Sequence, residues 1–238
     1  MVYWDADGLK DLLIGQADGK IKLFLNVGTE ADPTFDGGTF LQVGPPGSKI
    51  DIDVGSRATL EVVDCNNDGK KDLIVGAIDG KIHVFVNEAT DTSPDFESES
   101  FAQEDGADLV VPSYRSSPVI GDFDGDGEKD LLTGNTNGQI LLYPNVGTDA
   151  APSFSDSTYV ESNGVIIDLN SLGRSRPSVC DWTGDGRPDL LVGVGDGRVH
   201  LYQGKTYVSA VSPWSLVLMS LCVLLIGKHL FMRRRTPA

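Results

Sequence analysis

Short apolar runs recur along the chain, each followed by a turn pair and then by a stretch in which apolar and polar residues alternate. The runs read DLLIG at 11–15, DLIVG at 72–76, DLLTG at 130–134 and DLLVG at 189–193. The alternation is clearest in Lys20-Ile21-Lys22-Leu23-Phe24-Leu25. A brief apolar run bounded by turn residues reads as a buried strand, and period-two alternation reads as a strand with one covered face. The pairs between them, Asp18-Gly19, Asp79-Gly80, Asn137-Gly138 and Asp196-Gly197, accept positive φ and predict type I′ hairpins.

These elements belong to a longer repeat. The strings WDADGLKDLLIGQADGKIKLFLNVGT, CNNDGKKDLIVGAIDGKIHVFVNEAT, FDGDGEKDLLTGNTNGQILLYPNVGT and WTGDGRPDLLVGVGDGRVHLYQG align without gaps, and their aspartates Asp11, Asp72, Asp130 and Asp189 are spaced by 61, 58 and 59 residues. Periods of this size mark repeat architectures. A glycine follows each aspartate by four positions (Gly15, Gly76, Gly134, Gly193), and an aromatic follows by thirteen (Phe24, Phe85, Tyr143, Tyr202). The aromatics are expected between neighbouring sheets. Pro33 with Phe35, Pro94 with Phe96, and Pro152 with Phe154 precede looser polar stretches that can supply a fourth, outer strand.

The strand leading into each loop reads ATLEVVD, SSPVIGD or RPSVCD, so a full unit holds about four strands. Four-stranded units repeated radially are propeller blades. The expected fold is therefore an all-β β-propeller with four recognisable blades, near 3–61, 62–119, 120–178 and 179–204. With only Met1 and Val2 ahead of the first loop, the units are expected to belong to a larger ring rather than to a complete four-bladed one.

The loops carry the candidate chemistry. They read DCNNDGKKD at 64–72, DFDGDGEKD at 122–130 and DWTGDGRPD at 181–189. Oxygen donors at alternating positions with glycine at the sixth suit a tight loop around one hard cation, which takes six to eight oxygens. The third copy supplies Asp122, Asp124, Asp126 and Asp130, with the backbone carbonyl of Glu128 as a further ligand. The second offers Asp64, Asn66, Asp68 and Asp72, and the fourth Asp181, Thr183, Asp185 and Asp189, with Lys70 and Arg187 at the carbonyl position. The first has Tyr3 where the opening aspartate belongs and keeps only Asp5, Asp7 and Asp11, so weak binding is expected there. An EF-hand needs glutamate at the twelfth position and a following helix; Val75, Thr133 and Val192 stand there instead. The competing structural account is that the aspartates only make Asx-turns. Three copies in register favour calcium: three sites, with a fourth doubtful.

On these residues, together with the DG turn and the Asn-x-Gly-Thr element, the chain resembles the FG-GAP/VCBS repeats of integrin α-chain propellers and of many bacterial surface proteins. The resemblance covers nearly all of residues 3–204. It implies a propeller whose loops lie between the first two strands of a blade and bind calcium. The literal Phe-Gly and Gly-Ala-Pro elements are missing apart from Gly76-Ala77, so no integrin-like ligand site is implied.

Charge sharpens the picture. The chain has 35 acidic and 19 basic residues, a net charge of −16, and from Lys205 onward it holds five bases and no acids. Such an acidic body is repelled by nucleic acid and anionic lipid unless cations neutralise it. An arginine precedes each complete loop by seven residues: Arg57, Arg115 and Arg174. These can line one mouth of the ring and hold an anion, or neutralise neighbouring acids; the second role is the expected one. His83 and His200 occupy equivalent positions and are assigned to a solvated strand face. Cys65, Cys180 and Cys222 show no ligand spacing and are expected unpaired. No nucleophile elbow, P-loop or dinucleotide fingerprint occurs, so no enzymatic activity is expected.

Residues 208–227 are twenty without a charge, flanked by Lys205 and by Lys228 and His229. At about 1.5 Å per residue they match a hydrocarbon core of about 30 Å. Trp214 and Arg233, Arg234 and Arg235 fit interfacial and cytoplasmic anchors. The expectation is a linker at 205–207, a transmembrane or sorting-signal helix at 208–227, and a basic cytoplasmic tail at 228–238. The opening MVYWDADG has no basic start and no apolar run, so it is not a signal peptide and an upstream segment is expected. Together these features predict a membrane-tethered, calcium-binding cell-surface module that recognises a protein or glycan. The alternatives are an accessory domain of a larger secreted enzyme, of polysaccharide lyase or phospholipase type, or a spacer.

Overall fold

A computed structural model describes residues 1–169 and 173–204, and among them every regular element is a strand. The expected linker, helix and tail at 205–238 lie outside the described residues. Among those described, no helix is long and apolar enough to cross a membrane.

The repeat units become successive antiparallel sheets. The first holds β1 (Leu12–Gly15), β2 (Ile21–Phe24) and β3 (Thr39–Phe40), with an isolated bridge between Val2 and Asp11 beside β1. A small hairpin follows, β4 (Gln42–Val43) with β5 (Ile50–Asp51). The second unit is the four-stranded order β6 (Thr59–Val63), β7 (Asp72–Gly76), β8 (Ile82–Phe85) and β9 (Ser100–Phe101), followed by the hairpin β10 (Gln103–Glu104) and β11 (Ala107–Asp108). The third repeats this with β12 (Ser117–Gly121), β13 (Asp130–Gly134), β14 (Ile140–Tyr143) and β15 (Thr158–Tyr159), then β16 (Glu161–Ser162) with β17 (Val165–Ile166). The fourth is β18 (Ser175–Cys180), β19 (Asp189–Val194) and β20 (Val199–Tyr202). The outer fourth strand is only two residues long where it occurs, and the small hairpins between units have no counterpart in the sequence reading.

Apolar faces of adjacent sheets form the cores. One cluster joins Ile21 and Leu23 of the first unit to Leu73, Val75, Phe85 and Phe96 of the second. A second joins Ile74 and Ile82 to Leu131, Leu141 and Tyr143, and a third joins Val119, Leu132 and Ile140 to Val192. The in-register aromatics behave unequally: Phe85 and Tyr143 are buried between sheets, whereas Phe24 and Tyr202 are half-buried. The leading strands β6, β12 and β18 adjoin one another in order, as in a propeller-like repeat fold.

The hairpins differ from the type I′ turns predicted. Type I′ requires positive φ at both central residues, but here only the glycines Gly19, Gly80, Gly138 and Gly197 are left-handed, at 83–92°. Each glycine N–H returns to the carbonyl three residues earlier: Gly19 to Gln16 at 3.2 Å, Gly80 to Ala77 at 3.3 Å, Gly138 to Asn135 at 3.4 Å and Gly197 to Val194 at 3.1 Å. This is the three-residue hairpin with a left-handed glycine closing a bulge. The preceding aspartate stays right-handed because its carboxylate accepts the N–H two residues on, as Asp79 does from Lys81 at 3.0 Å.

The first three hairpin tips also receive the next unit. The N–H of Arg57 donates to Ala17, that of Arg115 to Ile78 and that of Arg174 to Thr136, at 3.1, 3.2 and 2.9 Å. The hydroxyl of Ser116 is inserted into the second hairpin, accepting from the Ala77 N–H at 2.9 Å and donating to the Lys81 carbonyl at 2.6 Å. Ser175 does the same between Asn135 and Gln139 in the third. The glycine at the end of the first three apolar runs is explained by this docking. A Cβ on Gly15, Gly76 or Gly134 would lie 2.3, 2.5 or 2.2 Å from the carbonyl oxygen of Ala58, Ser116 or Ser175.

Candidate metal centre

The final aspartate of each loop is the most deeply placed of its residues. Asp11, Asp72, Asp130 and Asp189 are all at most 1% exposed. One oxygen accepts the N–H of the residue after the loop's first position: Trp4 at 2.9 Å, Cys65 at 3.0 Å, Phe123 at 2.8 Å and Trp182 at 3.0 Å. The other accepts an N–H fifteen residues on, from Asn26, Asn87, Asn145 or Gly204, at 2.8–2.9 Å. The buried carboxylate thus ties the start of its loop to the end of the hairpin. For Asp11 and Asp130 each oxygen keeps a second lone pair for a cation, whereas one oxygen of Asp72 also accepts from the Cys65 thiol and one oxygen of Asp189 also accepts the Thr183 N–H.

The asparagines of the Asn-x-Gly-Thr element, and Asn87 at the equivalent position, brace the chain that leaves their hairpins. The side-chain oxygen of Asn145 accepts the N–H groups of Gly147 and Ser153, both at 3.0 Å. Asn26 and Asn87 do likewise, and each also donates its amide to a nearby carbonyl. Their signal was present, because an Asn at a fixed distance after each of the first three buried aspartates is visible in the repeat.

The earlier loop positions fold on their own amides. Asp122 accepts Gly125 at 2.7 Å and Gly127 at 3.1 Å, Asp124 accepts Asp126 at 3.0 Å, and Asp126 accepts Glu128 at 2.9 Å. Asp64, Asn66 and Asp68 in the second loop, and Asp181 and Asp185 in the fourth, repeat this pattern. In the first loop Asp5 accepts Asp7 and Asp7 accepts Leu9. Asx-turns therefore shape every loop, and they leave carboxylate lone pairs over.

What separates the loops is convergence. Ligand oxygens of Asp122, Asp124 and Asp130 lie within 4.8 Å of one another, and no other trio of acidic, histidine or cysteine side chains does so among the described residues. Asp126 is outside this trio. In the second loop Asn66, and in the fourth Thr183, stands where Asp124 stands in the third, so each has one carboxylate fewer; Thr183 instead donates its backbone N–H to Asp189 at 2.9 Å. Burial raises the Asp130 pKa against two backbone hydrogen bonds, and Asp124 and Asp126 push it the same way. In the fourth loop the Gly204 N–H leads in holding Asp189 below the usual carboxylate range. The third loop is thus the one in which three carboxylates converge, with a fourth, Asp126, adjoining them in sequence. The three converging carboxylates form a hard, all-oxygen donor set of the kind that suits calcium.

The second and third loops are also joined. Burial disfavours the Asp149 carboxylate, but Lys129 and Asn67 hold its pKa below the ordinary value. Lys129 Nζ lies 2.8 Å from Asp149 and also donates to Asn67, whose amide reaches Asp149 at 2.7 Å. Glu128 turns its side chain away from its own loop to accept the Asp149 N–H at 2.7 Å.

Two further expectations change. His83 is not on a solvated face: it is 6% exposed, its Nδ1 lies 2.5 Å from Glu99, and its ring meets Phe101 edge-on at 5.0 Å. The outer strand β9 covers it, and His200 is half-buried as well. Arg57, Arg115 and Arg174 do not neutralise acids, since none of the ion pairs among the described residues involves them. Cys65 and Cys180 are free thiols, and the Cys65 thiol, 3.0 Å from Asp72, has its pKa pushed up by burial and by that carboxylate.

A stack of antiparallel sheets carrying an acidic loop between its first two strands defines an all-β repeat protein. The chain belongs to the FG-GAP-like repeat family, whose pattern matches residues 64–133 and 122–192. It is similar to integrin alpha-7 of Mus musculus, 31% identical over 166 residues, and to integrin alpha-4 of Xenopus laevis, 27% identical over 149 residues. These alignments cover 63% and 57% of this chain but 13% and 14% of the relatives, so the chain spans about a seventh of their length. Among solved structures, the Tc holotoxin pore of Photorhabdus luminescens aligns over 85% of this chain and 9% of that one, at 17% identity and a TM-score of 0.47.

Proposed function

We propose that this chain is a non-catalytic adhesion or recognition module of a propeller, held at a cell surface and stabilised by calcium in its repeat loops. The convergence of Asp122, Asp124 and Asp130 carries the calcium reading. The similarity to integrin α chains supports the adhesion reading. A bound cation at this loop would be held by those three carboxylates and the Glu128 carbonyl, and it would offset repulsion in a chain of net charge −16. Asp64, Asn66, Asp68 and Asp72, and Asp181, Thr183, Asp185 and Asp189, would hold weaker ions with one carboxylate fewer. The recognised partner is a protein or glycan at the outer surface, and the C-terminal apolar segment is the proposed tether.

The test is thermal unfolding of the whole chain across a calcium titration that starts in excess chelator. Calcium should raise Tm, and Asp124→Asn should remove most of the tightest phase of the rise. Identical melting in chelator and in millimolar calcium overturns the metal reading. Glycan and protein arrays probed in calcium address recognition, and a spacer role predicts that both stay empty.

A further inference from the structure

The arginines that precede the loops gather at one place. Arg57, Arg115, Arg174 and Arg176 line a single shallow, solvent-open recess, together with Thr59 and Ser117. They come from three successive units, at the point where each leading strand leaves the hairpin tip of the unit before it. Arg115 is half-buried and the other three are exposed. None of the four side chains has a hydrogen bond or ion pair among the described residues, although the chain holds 35 acidic residues. Four unpaired guanidinium groups in one recess of so acidic a protein are not explained by packing.

The backbone adds an independent observation. Arg57, Arg115 and Arg174 all have positive φ, at 58°, 58° and 44°. The docking of each unit on its predecessor needs this conformation and the arginine N–H, but it does not need the side chain. Glycine or asparagine takes the left-handed region at lower cost. Strained residues repeated at equivalent places point toward a function for their side chains. Burial lowers the Arg115 pKa, and the charges of Arg57, Arg174 and Arg176 lower it further. Repulsion within the cluster is therefore unrelieved in the free protein.

The geometry points to an oxyanion site: Arg57, Arg115, Arg174 and Arg176 form a receptor for one sulfate, phosphate or carboxylate group, either as a free ion or as the charged group of a larger ligand. Guanidinium groups present paired donors that match such oxygens, and the Ser117 hydroxyl on the same wall can add a further donor. This inference deepens the recognition reading above, since it names the chemistry of the recognised group. It does not depend on calcium, and its test is run with calcium saturating so that the two can fail separately.

The experiment measures Tm and calorimetric binding of the whole chain with inorganic sulfate, at ionic strength held constant with chloride. A sulfated oligosaccharide forms the second arm. Arg115→Gln and Arg174→Gln are compared with the parent; the exposed Arg174 provides a variant that should fold if Arg115→Gln does not. Sulfate is expected to raise the parent Tm by several degrees, and each variant is expected to lose at least tenfold in affinity. Arg115→Gln should also match or exceed the parent Tm without anion, because repulsion has been removed. Tighter binding of the oligosaccharide than of sulfate assigns the group to a larger ligand, and equal binding assigns a free ion. Unchanged anion response in both variants, or none in the parent in either arm, overturns the site.

Discussion

Asp130 Oδ1 accepts the Asn145 backbone N–H at 2.9 Å, and the same bond recurs between Asp72 and Asn87 and between Asp11 and Asn26. It links the end of a loop to the end of a hairpin fifteen residues later, inside the protein, with the opposite oxygen taken by Phe123. An aspartate with both oxygens accepting cannot be exchanged for an amide without loss.

Asp130→Asn should therefore destabilise the chain by about 1–3 kcal/mol, because one buried backbone N–H would face an amide donor instead of an acceptor. Denaturant unfolding in excess chelator isolates this structural cost. A variant as stable as the parent under those conditions would show that the paired amides do not depend on the carboxylate.

Gly134→Ala and Gly193→Ala form a contrasting pair. A Cβ at Gly134 would stand 2.2 Å from the Ser175 carbonyl oxygen, whereas at Gly193 the nearest such atom is 3.9 Å away. The first should cost about 2–3 kcal/mol through overpacking of backbone on backbone, and the second should change stability by less than about 0.5 kcal/mol, as for a substitution away from close contacts. Equal effects in thermal or denaturant unfolding would remove the inter-unit docking as the reason for this glycine.

Glu61 supplies the pH dependence. It pairs with Ile74 on the face of β6 that packs toward the third unit, and burial raises its pKa from 4.5 to about 7. The folded state then binds more protons than the unfolded state between those values, so this residue's contribution to stability is retained at low pH and lost as pH rises through that window. Glu61→Gln should leave stability nearly unchanged at pH 4 and raise it at pH 8, by an amount on the order of 3 kcal/mol. Parallel stability profiles for parent and variant from pH 4 to pH 8 would rule this out.

The repeat, the strand pairs and the acidic loops were legible in the chain because each is local: period-two alternation, turn glycines and oxygen-bearing residues at fixed spacing are set by neighbours a few positions away. The same locality makes Asp11, Asp72, Asp130 and Asp189 visible as a register mark. Whether carboxylates meet is decided elsewhere. Asp122, Asp124 and Asp130 converge while Asp126 stands apart, because side-chain direction depends on how the loop closes on its own amides and on Asn145. The turn type escaped for a related reason, since Asp18 and Asp79 prefer to accept the N–H two residues on and leave only the glycine left-handed.

The contacts of highest sequence separation were hidden altogether. Nothing near Gly134 announces the Ser175 carbonyl against it, and nothing near His83 announces Glu99 and Phe101 above it. The arginines show the division most clearly: their spacing was plain in the sequence, and only the tertiary structure brought them into one recess without an acidic partner. By itself the sequence determined the all-β repeat and the donor atoms of its loops. The packing of one unit on the next decided which of those atoms meet, because that packing joins residues from different copies, which no local pattern relates.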